Sequence, residues 1–159
     1  NSDDLLVNNS ISKLMRYLEK KEYSWVNGIN GVKVDNKVRF LPFPYFFPQK
    51  IIQRGLCHKS SYGFIPQESV VFSKNLYFQS GGLQKNLQYA GDYYLWKSFA
   101  KLEKLRPVPI RLGIFRKRKG QKSENLDAYY KEIKIKYLKK KINFLRLIIS
   151  YFYSLFLNK

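Results

Sequence analysis

The segment LPFPYFFP, residues 41 to 48, holds three prolines in eight positions and cannot form the interior of a helix or a sheet. It divides the chain into two stretches that must fold on either side of a loop. The aromatic side chains of that loop are apolar anchors, suited to lie over a cleft or a partner. On its N-terminal side, Ser10 can cap a helix whose apolar positions Ile11, Leu14, Met15 and Leu18 recur at three- and four-residue intervals, to about Glu22. YSWVNG then reads as a short buried strand, and VKVDNKVRF as two alternating runs about an Asp35-Asn36 turn.

Beyond the loop, QKIIQRGL reads as a helix and Ser69 to Phe72 as a strand. Residues 75 to 80 read as a short helix ended by Gly81 and Gly82, where the backbone turns through positive φ. A further helix starts at Asp92, with Leu95, Trp96, Phe99 and Leu102 facing inward. RPVPIRLGIFR is extended, and Pro107 and Pro109 favour an edge position. From Glu124 onward the pattern is helical, with Leu126, Tyr130, Ile133 and Tyr137 on one stripe and six lysines between 131 and 141.

The last stretch, INFLRLIISYFYSLFLN, is apolar nearly all round. It is shorter than the roughly 20 residues that a spanning helix needs, and Arg146 interrupts it. This leaves two readings open: a helix lying on an anionic membrane surface beside its lysines, or a helix packed on the protein.

Thirty Lys and Arg against 11 Asp and Glu give a formal charge of +19, which calls for an anionic partner. The single Cys57 has no internal disulfide partner. With His58 as the only histidine, a Cys/His zinc site is excluded, and a reducing, cytoplasmic setting is expected. Residues 1 to 20 carry acids, Asn and Ser where a signal peptide would need a charged head and an apolar run. Asp92 is the only acid between Glu68 and Glu103, and in so basic a chain it is either a helix cap or a working group.

In order along the chain, NSDD, GFIPQES, GGLQKNLQYAGDYYLW, and FRKRKGQKSE followed by YYKEI resemble the motifs of the inverting glycosyltransferase family 2 enzymes of the GT-A fold. The resemblance covers roughly residues 1 to 133. It implies an α/β fold, the C-terminal, acceptor-side part of a Rossmann-like mixed-sheet domain over residues 1–123, with a basic and apolar helical tail over 124–159. In that family the segment like NSDD follows the strands and helices that bind the nucleotide. The chain is therefore expected to start inside a longer enzyme and to show little transfer alone.

The resemblance also implies roles. A nucleotide-sugar donor would pass its sugar to a glycan or lipid-linked acceptor and release its diphosphate, with Mg²⁺ or Mn²⁺ on the phosphates. The metal falls to Asp3, with Asp4 beside it, although the first acid of the D-x-D pattern is Asn1 here. Asp92 matches the general base, and Gln67, Glu68, Gly81, Gly82 and Tyr93 match the sugar or acceptor contacts. Arg118, Gln121 and Lys122 would meet the diphosphate, Arg118 standing where many members carry histidine. Each has a plainer alternative: a helix cap for Asp3, Asp4 and Asp92, a strand-end turn for Gln67 and Glu68, a helix end for the glycines, and a solvated run for the basic loop.

Such enzymes build surface polysaccharides, so a peripheral place at the inner membrane face is expected, held by the tail on an anionic surface. Two other classes compete. A non-catalytic membrane-surface or assembly piece would keep the tail and lose the chemistry. A nucleic-acid module would use the charge and the 27 aromatic residues, but these sit at core-like spacings and not interleaved with Arg.

Overall fold

Trp25 and Val26 are consecutive in one strand, and their side chains point to opposite faces of the sheet. Each face is covered by helices. The computed structural model describes residues 4–136 and 144–157. It is a mixed α/β structure built on a five-stranded sheet in the order β1-β5-β2-β3, with β4 also pairing β2. The strands are β1 (Leu5–Leu6), β2 (Trp25–Val34), β3 (Lys37–Phe40), β4 (Val70–Phe72) and β5 (Arg106–Arg116). β2 and β5 run parallel and the other pairs antiparallel. The helices are α1 (Ser10–Leu18), α2 (Gln49–Gln53), α3 (Lys74–Gln79), α4 (Gly91–Leu102), α5 (Leu126–Glu132) and α6 (Phe144–Leu157).

On one face, Leu14 of α1 packs with Val26, Val108 and Leu112. On the other, α2, α3 and α4 enclose Trp25, Phe47, Ile52, Leu76, Trp96 and Phe99. Trp25 stacks on Trp96 at 5.7 Å and meets Phe99 edge-on at 5.2 Å. Such pairs add about 0.5–1.5 kcal/mol each beyond the area they bury. Phe47 supplies the anchor expected of the proline-rich loop, and it is fully buried.

β2 is ten residues long, not the short strand expected, because Gly28 and Gly31 do not interrupt it. They are close-approach positions. A Cβ on Gly28 would lie 2.4 Å from the Ile110 carbonyl oxygen, and one on Gly31 would lie 2.7 Å from the Phe40 ring. Asp35 takes a left-handed φ of 52° in the turn between β2 and β3, and Val34 pairs with Lys37 as the alternating pattern anticipates.

Two expectations are corrected, and the edge position expected for Pro107 and Pro109 holds for their half of β5. α1 stops at Leu18, and Met15 is exposed, so only Leu14 and the end of the stripe face the sheet. Leu102 is exposed because α4 ends there, and Leu105 takes the buried place beyond it. β5 is flanked on both sides at Gly113 and Ile114, where β1 pairs with it. Pro107 and Pro109 lie in its first half, which has β2 as its strand partner, so no second ladder requires their missing N–H groups.

α5 is shorter than the helical pattern suggests, since Lys134 turns the backbone at φ 56°. Tyr129, Tyr130 and Ile133 share a core with Ala90 and Tyr93 of the α4 region, so this part of the tail is packed on the sheet domain. Tyr137 lies outside the described residues. α6 packs against the proline-rich loop: Ser150 Oγ accepts the Phe46 N–H at 3.0 Å, and Tyr153 stacks on Phe46 at 4.5 Å. Arg146 lies 4.1 Å over the Tyr45 ring, which explains a charge within the apolar run. Among the described residues, no helix is long and apolar enough to cross a membrane.

Candidate functional site

Four polar residues from three distant parts of the sequence meet in one cleft. It has a volume of about 390 Å³, and Asp4, Gln67, Glu68 and Asp92 line it, over an apolar floor that includes Phe72, Leu95 and Trp96. Asp4 precedes β1, Gln67 and Glu68 form a 3-10 turn before β4, and Asp92 is in the first turn of α4. The sheet brings Asp4 to Gln67 and Glu68, because β1 and β4 attach to its two parallel strands.

Asp4 is fixed by one oxygen: Oδ1 accepts the Arg116 N–H at 3.2 Å. Its Oδ2 is buried and has no hydrogen-bond partner among the described residues. A buried, unpaired carboxylate oxygen costs stability unless something satisfies it. Asp3 lies outside the described residues. Among the described residues, no group of three or more His, Cys, Asp or Glu could hold a metal ion. The donor set suits a hard cation that takes one carboxylate oxygen from Asp4 and its remaining ligands from phosphate and water, as Mg²⁺ commonly does.

Glu68 sits where the backbone of β5 crosses closely over it, at Gly113. Burial pushes its carboxyl up to about 7, and the nearby Asp4 charge adds to the rise, while its own backbone N–H and the Asn30 side chain oppose it. The folded chain therefore holds a proton at Glu68 more tightly than the unfolded chain does. The resulting stabilisation is complete below the ordinary value of 4.5 and is lost as pH rises through about 7. Glu68→Gln cannot ionise, so it is expected to remove this dependence. Measured by urea unfolding without divalent cation, the variant should gain about 2 kcal/mol on the native chain between about pH 5 and about pH 8. A difference that does not change with pH would show that Glu68 titrates as an ordinary carboxylate.

Asp92 does not occupy the N-cap of α4, which is Ala90. It sits inside the first turn, where Oδ1 accepts the Tyr93 N–H at 2.7 Å. Burial raises its carboxyl above its ordinary value, and the N–H groups of Tyr93 and of Asp92 itself offset this only in part. It thus satisfies part of the helix start and also faces the cleft. A carboxylate with a raised pKa is a better proton acceptor.

The other candidates lie elsewhere. Tyr93 is buried, with its hydroxyl donating to the Gly55 carbonyl at 3.0 Å, so its ring belongs to the core and is not a sugar platform. Gly81 and Gly82, at φ 86° and 67°, end α3, with the Gly82 N–H on the Tyr77 carbonyl, and it is the next residue, Leu83, that reaches the cleft. Gln121 holds its loop together: Oε1 accepts the Arg118 N–H, and Nε2 donates to the Arg116 carbonyl. Neither Gln121 nor Arg118 nor Lys122 lines the cleft.

The loop is nevertheless connected to the cleft on both sides. It begins where Arg116 holds Asp4, and Lys122 acts on Glu132. Glu132 was not singled out from sequence. Its carboxylate accepts the N–H groups of Gln88, Tyr89 and Ala90 at 2.8–3.0 Å and so sets the turn that leads into Asp92. Slight burial works against its charge, but those three donors and Lys122 hold its carboxyl below the ordinary value. A glutamate in a run of lysines carries no local sign of that role. Asn30 and Gly113, which position Glu68, were missed for the same reason.

No protein-family model matches the chain, and no curated protein matches it.

Proposed function

We propose that the cleft is the acceptor side of an inverting sugar-transfer site of the glycosyltransferase family 2 type, on a GT-A-like sheet. The observation that carries this reading is the meeting of Asp4, Gln67, Glu68 and Asp92 in one cleft, since these are residues that the motif resemblance assigns to one reaction.

Asp92 is the base. The acceptor hydroxyl attacks the anomeric carbon, and a new C–O bond forms as the bond to the donor diphosphate breaks. The hydroxyl proton passes to the Asp92 carboxylate, which burial makes more basic. Gln67 and Glu68 orient sugar hydroxyls; near neutral pH, Glu68 is divided between donor and acceptor forms. A divalent metal on the Asp4 oxygen, when bound, would neutralise charge building on the leaving diphosphate. The basic loop of residues 116 to 122 lies next along the chain from Asp4's partner Arg116 and supplies positive charge toward the same phosphates.

The test is transfer of a labelled sugar from a panel of nucleotide donors, comparing the native protein with Asp92→Asn. Transfer that persists unchanged without Asp92 would overturn the assignment of the base.

A further inference from the structure

α6 has two faces, and among the described residues only one is packed against the protein. Arg146, Ser150 and Tyr153 meet the proline-rich loop, as described above. The opposite stripe, Ile148, Tyr151, Phe152, Leu155 and Phe156, follows helical spacing and is exposed, Phe152 at 57% and Phe156 at 72%. Phe43 of the loop extends this stripe and, with Leu147, borders an apolar groove of about 540 Å³.

We propose that this face docks on the surface of an anionic lipid bilayer, with α6 lying in the interface. Charge decides between the occupants. The chain carries +19, so a second copy would bring like charge against like, whereas an anionic leaflet brings the opposite sign. Lys131, Lys134 and Lys136 precede the helix, and the sequence adds Lys139, Lys140 and Lys141 just before it. No charged residue interrupts α6 after Arg146, and that one is turned onto Tyr45. A phosphate backbone would gain nothing from an aromatic stripe that lacks cations. At 14 residues α6 is about 21 Å long, too short to span a hydrocarbon core but suited to lie along its boundary.

The experiment is vesicle flotation with the full chain, comparing phosphatidylcholine vesicles with vesicles containing phosphatidylglycerol. The chain should bind the anionic vesicles at least about tenfold more tightly, and added salt should weaken that binding. Phe152→Asp combined with Phe156→Asp should lower binding at least about tenfold. Met15→Asp, an exposed apolar position on α1, should leave it unchanged. Leu155→Ser, a milder change on the same stripe, should lower it about threefold and serves if the double variant fails to fold. Equal binding by native chain and stripe variants would overturn the proposal. So would a lipid-free dimer in sedimentation that the stripe variants dissociate, which would make this face a contact between copies.

Discussion

Asp92→Asn is expected to lower sugar transfer by at least about a hundredfold while leaving the fold intact, the usual scale for removing a positioned base. The substitution separates the two roles open to this residue. The asparagine oxygen can still accept the Tyr93 N–H, so the contribution to the first turn of α4 survives. What disappears is the ability to take a proton. Because burial disfavours the charged form of Asp92, the neutral variant should be at least as stable as the native chain above neutral pH. Rates measured at saturating acceptor, beside an unfolding curve for the same preparation, check both halves. A loss of tenfold or less would leave Asp92 as a residue of the helix start alone.

Gly113→Ala should cost about 3 kcal/mol, the upper end of what overpacking costs, and should disturb the cleft at the same time. An added Cβ would lie 1.9 Å from the Glu68 carbonyl oxygen and 2.4 Å from its carbonyl carbon. Both are backbone atoms and cannot swing aside. Either the 3-10 turn carrying Glu68 moves or β5 does, and β5 at this point pairs with Leu6, so Asp4 would move with it. Gly120→Ala is the comparison: nothing lies within 4 Å of its Cβ, and only the φ of 80° penalises it, by about 1–2 kcal/mol. Urea unfolding of the two variants should rank them in that order. Equal losses would show that the sheet relaxes around Gly113.

The elements were legible where the signal is local. The hairpin about Asp35, the α3 stop at Gly81 and the inner face of α4 at Leu95, Trp96 and Phe99 follow from turn chemistry and periodicity within a few residues. The length of β2 was not legible, because Gly28 and Gly31 look like breaks until their neighbours across the sheet are known. Of the site, Asp4, Gln67, Glu68 and Asp92 were picked out by motif and are gathered in one cleft. Tyr93, Gly81 and Gly82 were picked out in the same way and serve the core and a helix end, because a motif fixes position along the chain and not the direction of a side chain. The supports Glu132, Asn30 and Gly113 act over long sequence separations, which no window of sequence contains.

The most direct measurement maps the cleft on the chain itself. Mn²⁺ with pyrophosphate, standing for the leaving diphosphate, is added to the ¹⁵N-labelled chain, and paramagnetic broadening of the amide signals is followed. The expected result is broadening centred on Leu5, Gln67, Glu68 and Asp92, lost at the same concentrations in Asp4→Asn. Broadening centred on another surface, or unaffected by Asp4→Asn, would contradict a diphosphate-and-metal site in this cleft.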